Sequence, residues 1–150
     1  RGWYTSVPNV VQTTLDGLPL HTPALPLYHA LAYQLRRIDA EGGLPARWAR
    51  HAQMQHLMEE WTARVPGVGL LANAGRRSPA LSAVTLPPGV EAAAVVAALG
   101  AEGWAVAPGL DAQAGTVVRI GHMGDLTPDH LRGLLAALEP LVARTAGSAA

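Results

Sequence analysis

The chain has 150 residues, a mass of 15.6 kDa, zero formal net charge and a pI near 7.2, and it contains no Phe and no Cys. Its length suits one domain with its own core, and the absence of Cys excludes a disulfide scaffold and a thiolate nucleophile. All eleven basic residues are Arg, so no Lys is present to form a Schiff base. The balanced charge argues against nucleic acid or an acidic membrane surface as partner, and no apolar stretch is long enough to span a bilayer.

The two ends of the chain carry few structural signals. The sequence begins at Arg1 rather than Met and shows no signal-peptide pattern, so we expect a piece of a longer protein. Residues 1–21 have no sustained period and are interrupted by Pro8, Gly17 and Pro19, which predicts an extended segment. The small and polar residues 145–150 predict a disordered tail.

Two helices are predicted next. The first runs over 23–41, with Thr22 as N-cap, Pro23 at the first helical position and Gly42-Gly43 as its end. The second runs over 44–65 and ends at Pro66-Gly67. Its predicted apolar stripe is Met54, Leu57, Met58, Trp61 and Val65, and its predicted solvent face includes Arg47, Arg50, Glu59, Glu60 and Arg64.

Short strands and two more helices follow. Strands are predicted over 67–72, 81–86, 104–107 and 116–122, and helices over 90–102 and from N-cap Thr127 and Pro128 onward. The order α-α-β-β-α-β-β-α predicts an α+β fold in two layers, with about four strands in a small antiparallel or mixed sheet and helices on one face.

Arg119 is the most informative candidate for a binding residue. In the predicted strand, Val118 and Ile120 share one face and Arg119 points to the other. If helices cover the Val/Ile face, Arg119 faces a cleft or a neighbouring domain, where a guanidinium suits bidentate recognition of a planar carboxylate. The alternative is a surface Arg that pairs with an Asp or Glu.

Thr22 is the second candidate. A hydroxyl beside the N–H groups at a helix start suits an anion or phosphate. The alternative is simple N-capping, and Pro23 removes one of the donors.

The six histidines do not predict a metal site. His51 and His56 are five residues apart and project in different directions from a helix, so they cannot share one ion as an i, i+4 pair does.

Several motifs in order resemble the C-terminal part of class V aminotransferases, the pyridoxal-phosphate enzymes that include alanine–glyoxylate and serine–pyruvate aminotransferases. The strongest are Val118-Arg119-Ile120-Gly121-His122-Met123-Gly124 and His21-Thr22-Pro23-Ala24, accompanied by Leu27-Tyr28-His29-Ala30-Leu31 and Gly43-Leu44-Pro45-Ala46-Arg47-Trp48-Ala49-Arg50-His51. The resemblance covers roughly residues 1–143.

The resemblance implies a domain organisation and two roles. It implies a crossing segment over 1–22 and a small C-terminal domain over 23–144 of fold type I, without the large domain that carries pyridoxal 5'-phosphate and its Lys. Arg119 matches the family's substrate-carboxylate Arg, and Thr22 matches the Thr that reaches the cofactor phosphate of the neighbouring subunit. A Tyr that accompanies this Thr in some members is missing, since Pro19-Leu20-His21 precede it.

We therefore expect the C-terminal domain of a cytoplasmic, homodimeric aminotransferase that acts on small 2-amino and 2-oxo acids, with the fragment inactive by itself. Its partners would be its own large domain, a second subunit and the substrate, with no nucleic acid and no membrane. Two alternatives remain: the small domain of a lyase or hydrolase with the same cofactor, and a non-enzymatic α+β module for assembly or ligand binding.

Overall fold

The computed structural model describes residues 2–143, apart from the side chain of Tyr4. The chain divides into two compact units, with the division between Gly43 and Leu44. The predicted limits of a crossing segment over 1–22 and a domain over 23–144 stay predictions. Residue 144 and the predicted tail 145–150 lie outside the described residues.

After the two long helices predicted over 23–41 and 44–65, the order of elements is β-β-α-β-β-α, as predicted. The helices are α1 (Val7–Leu15), α2 (Leu25–Ala40), α3 (Gly43–Arg64), α4 (Ala92–Ala101) and α5 (Pro128–Ala143), and the strands are β1 (Gly69–Leu70), β2 (Leu81–Thr85), β3 (Ala107–Pro108) and β4 (Val117–Gly121). Short 3-10 helices cover Trp3–Thr5 and Asp111–Gln113. None of the helices in the described part of the chain is long and apolar enough to cross a membrane.

The prediction of an extended segment at the start is wrong over Val7–Leu15, which forms α1. Pro8 lies in the first turn, where its missing N–H costs nothing, and Gly17 adopts a positive φ of 73° just past the helix end. The N–H of Leu18 then donates to the carbonyl of Thr13 (2.8 Å). Two of the three residues taken as interruptions, Pro8 and Gly17, are therefore start and stop signals of α1.

The predicted start of the helix over 23–41 is also wrong. α2 begins at Leu25 with Ala24 as N-cap, and no side chain caps it. Pro26, rather than Pro23, occupies the first turn. Thr22 therefore lies outside the helix, although the predicted end is confirmed by Gly42 and Gly43, both at positive φ.

The second unit contains a four-stranded antiparallel sheet of order β1-β2-β4-β3. The predicted bounds of the strand over 104–107 are wrong, since β3 covers Ala107–Pro108. The N–H of Trp104 instead donates to the carbonyl of Leu99 (2.9 Å) and closes the end of α4. The predicted N-cap of α5 is confirmed, since the N–H of His130 donates to Thr127 Oγ1 (3.4 Å).

One face of this sheet forms the core with α3, α4 and α5. The predicted stripe of α3 is confirmed, with Met54, Met58, Trp61 and Val65 buried and Leu57 packed against them. The remaining core includes Val84, Val118, Ile120, Leu99, Leu131, Leu138 and Val142. The predicted α+β architecture is thus confirmed, and Arg119 projects from the opposite face of the sheet.

Replacing Leu138, which is 0% exposed in this core, tests the packing. Leu138→Ala should lower the free energy of unfolding by about 2–5 kcal/mol because it removes buried methyl groups and leaves a cavity. Leu110→Ala, at a side chain that is 59% exposed, is the control and should change it by less than about 0.5 kcal/mol. Urea unfolding followed by Trp fluorescence measures both, and equal effects would contradict this packing.

Candidate functional site

Arg119 is held by the main chain of the neighbouring strand. In the sheet register it lies between Ala83 of β2 and Ala107 of β3, whose small side chains leave room beside it. Its Nε donates to the carbonyl oxygen of Pro108 (2.8 Å), and the residue is half-buried. The guanidinium is therefore fixed at one edge, while its two Nη groups make no hydrogen bond to any residue that the structure describes.

Two other half-buried arginines of the second unit pair with carboxylates, unlike Arg119. Arg47 pairs with Asp125 (2.8 Å) and Arg77 with Glu59 (2.9 Å). Among residues 2–143, no Asp or Glu pairs with Arg119. The structure of residues 2–143 therefore does not support the alternative in which Arg119 pairs with an Asp or Glu on the surface.

A buried histidine anchors the chain where β4 ends. The His122 side chain is 0% exposed, its Nδ1 lies 3.1 Å from the Pro79 carbonyl, and its Nε2 lies 2.9 Å from Ser82 Oγ. A carbonyl only accepts, so Nδ1 carries the proton and Nε2 accepts from the Ser82 hydroxyl. Burial lowers the pKa of His122, which favours this neutral form.

The loop that follows His122 is fastened to the start of α3. The carbonyl of Gly124 accepts from Arg50 Nη2 (2.9 Å) and lies 3.3 Å from His51 Nε2, and Asp125 pairs with Arg47. The prediction of a solvent face for Arg47 and Arg50 is therefore wrong, since both are half-buried and hold this loop. Their partners lie more than 70 positions away in sequence, so local spacing gave no signal for the contact.

Thr22 is exposed and does not cap α2. Its hydroxyl makes no hydrogen bond within the described part of the chain. The helix start offers few free donors, because the N–H groups of Leu25 and Leu27 bond to the carbonyls of Pro23 and Ala24, and Pro26 has none. The exposed hydroxyl is thus accessible to a ligand, but the helix end adds little to an anion site.

Thr22 belongs to the first compact unit and Arg119 to the second. Within residues 2–143, no three His, Asp or Glu side chains come close enough to hold a metal ion.

No family model matches the sequence, and no curated protein matches it. Solved structures do match. Alanine–glyoxylate aminotransferase from Nostoc sp. is 30% identical with a TM-score of 0.74, over 97% of this chain and 38% of that one. A subgroup IV aspartate aminotransferase from Thermus thermophilus is 26% identical with a TM-score of 0.80, over 96% and 40%. Pyridoxamine–pyruvate aminotransferase from Mesorhizobium loti is 28% identical with a TM-score of 0.73, over 85% and 33%.

These three structures are aminotransferases, and this chain spans less than half the length of each. The predicted fold class is confirmed: the chain is α+β with a small four-stranded antiparallel sheet, and it matches an aminotransferase domain of fold type I.

The buried His122 predicts a pH dependence of stability. The unfolded chain binds a proton near pH 6.5, whereas the folded ring resists protonation because its pKa is lowered. The stabilisation is therefore present above about pH 6.5 and is lost as the pH falls below it toward the lowered value. Thermal midpoints between pH 7.5 and 5 should fall more steeply for the native chain than for His122→Asn. Parallel curves would contradict a neutral, buried ring.

Proposed function

We propose that this chain is the C-terminal small domain of a pyridoxal-phosphate-dependent aminotransferase of class V, which transfers an amino group between small 2-amino and 2-oxo acids. The observation that carries the proposal is Arg119, a half-buried residue on the sheet face opposite Val118 and Ile120, with no carboxylate partner in the described chain. The fold match to three aminotransferases at 26–30% identity supports it.

The geometry of Arg119 favours one mode of carboxylate binding. Because Nε is engaged by the Pro108 carbonyl, the edge formed by the two Nη groups remains for a ligand. A carboxylate there accepts two parallel charge-assisted hydrogen bonds, which fix its plane as well as its position. Such a contact holds the substrate in one orientation, so that the bond to be broken at Cα is presented in the direction that the reaction needs.

The described residues can supply a contact to the cofactor phosphate but not its covalent attachment. The Thr22 hydroxyl is exposed and has no hydrogen bond within the described chain, so it is available to a phosphate oxygen. No Lys occurs in the sequence to bind the cofactor covalently, so the large domain would supply that residue. When bound, pyridoxal phosphate supplies an electron sink for the carbanion formed at Cα. We further propose a cytoplasmic homodimer, as the resemblance implies, with Thr22 directed to the cofactor of the second subunit.

Removing the guanidinium tests the proposal in the full-length protein. Arg119→Ala should cost about 2–5 kcal/mol in substrate binding because the carboxylate loses a charge-assisted pair. Steady-state KM values for alanine, serine, glyoxylate and pyruvate measure the effect. Arg76→Ala, in an exposed loop, is the matched control and should leave them unchanged. Unaltered kinetics for Arg119→Ala would remove the central assignment.

Removing the hydroxyl of Thr22 tests the phosphate contact. Thr22→Ala should weaken cofactor affinity on the order of tenfold, the effect expected for one hydrogen bond to a charged group. Thr22→Ser keeps the hydroxyl and should retain the native affinity. Cofactor titration of the apo form of the full-length protein measures both variants. If Thr22→Ala binds the cofactor with native affinity, the Thr22 hydroxyl does not contact the cofactor phosphate.

A further inference from the structure

The turn that follows β3 determines where the anchor of Arg119 lies. Gly109 comes directly after Pro108, and its N–H donates to the carbonyl of Val117 on β4 (2.7 Å). The Pro108 carbonyl that accepts from Arg119 Nε is therefore held between the β3–β4 pairing and the backbone of Gly109.

Gly109 has no room for a side chain. A Cβ at this position would overlap the carbonyl oxygen of Gln113 and would lie 2.7 Å from its carbonyl carbon and 3.0 Å from Val117 Cβ. The Gln113 oxygen also accepts from the N–H of Thr116 (3.2 Å) and closes the short 3-10 helix Asp111–Gln113. Because the obstacles are backbone atoms, no rotamer change relieves the overlap, and the backbone at Gly109 or Gln113 must shift.

We propose that Gly109 is a positioning residue for substrate binding: its lack of a side chain keeps the Pro108 carbonyl where it holds the Arg119 guanidinium in line with the substrate carboxylate. The inference rests on the proposed function only for the identity of that ligand. The anchor itself is a property of this chain.

We expect the backbone at Gly109 to shift in Gly109→Ala, which moves the adjacent Pro108 carbonyl and frees the guanidinium. The charge remains on Arg119, but its Nη edge is no longer held in one direction. Misplacement of a positioning group by a fraction of an ångström to an ångström costs roughly 10- to 100-fold in a reaction that depends on orientation. The loss falls on kcat/KM, because a guanidinium that is no longer held binds the carboxylate more weakly and no longer fixes the direction of the bond at Cα.

Gly115 provides a matched control in the same loop. A Cβ there would meet only Glu91 Oε2, at an ordinary contact distance of 3.5 Å. Neither Gly109 nor Gly115 has a positive φ. Each substitution to Ala therefore adds one methyl group without forcing the residue into the left-handed region. Only the substitution at Gly109 meets backbone atoms.

The first measurement is solvent exchange of the Arg119 Nε–H by NMR on the 150-residue chain. We expect exchange about tenfold slower than at Arg76, an exposed arginine, because one hydrogen bond is worth about that factor. Gly109→Ala should abolish this protection and Gly115→Ala should retain it. Fast exchange at Arg119 in the native chain, or full protection in Gly109→Ala, would overturn the proposal. So would a Gly109→Ala chain that does not fold, since Gly109 would then have a general structural role.

The second measurement is steady-state kinetics on the full-length protein. Gly109→Ala should lower kcat/KM for the amino acid about 10-fold or more. In an Arg119→Ala background the same substitution should have no further effect, because the residue acts through that guanidinium. Additive effects would overturn the positioning role. If Arg119→Ala itself leaves KM unchanged, the proposed function fails, while the exchange result on the anchor stands by itself.

Discussion

The alternation of side chains along β4 is the constraint on which the rest of the second unit depends. Val118 and Ile120 enter the core, where both are fully buried, and this fixes Arg119 on the other face of the sheet. A slip of one residue in the register would bury the guanidinium and expose the core side chains. The free energy of core packing therefore also determines where the charge of Arg119 lies.

β4 is fastened at its C-terminal end and along one side, which keeps this register. At the far end, His122 is locked by Ser82 and the Pro79 carbonyl, and the loop beyond it is held by Arg50. Beside the strand, the carbonyl of Pro108 holds Arg119. The strand that carries the candidate site is thus a rigid support, and rigid elements position ligand-binding side chains more precisely than loops do.

The parts of this arrangement that follow from local pattern could be predicted from the sequence. The two-residue period separated Arg119 from Val118, and Thr127 with Pro128 marked the start of α5. Other parts could not. α1 was missed because a nine-residue helix gives little periodicity and its proline and glycine were taken as breaks. The anchor of Arg119 is a main-chain carbonyl, which has no sequence signature, and the contacts of Arg47 and Arg50 join residues more than 70 positions apart.

The central claim is that Arg119 binds a carboxylate through its two Nη groups while Pro108 holds Nε. A crystal structure of the full-length protein with bound pyruvate tests it most directly. The account predicts both carboxylate oxygens within about 3 Å of the Nη atoms, with the bond from Nε to Pro108 intact. A carboxylate bound away from Arg119, or one that displaces Pro108 from Nε, would contradict it.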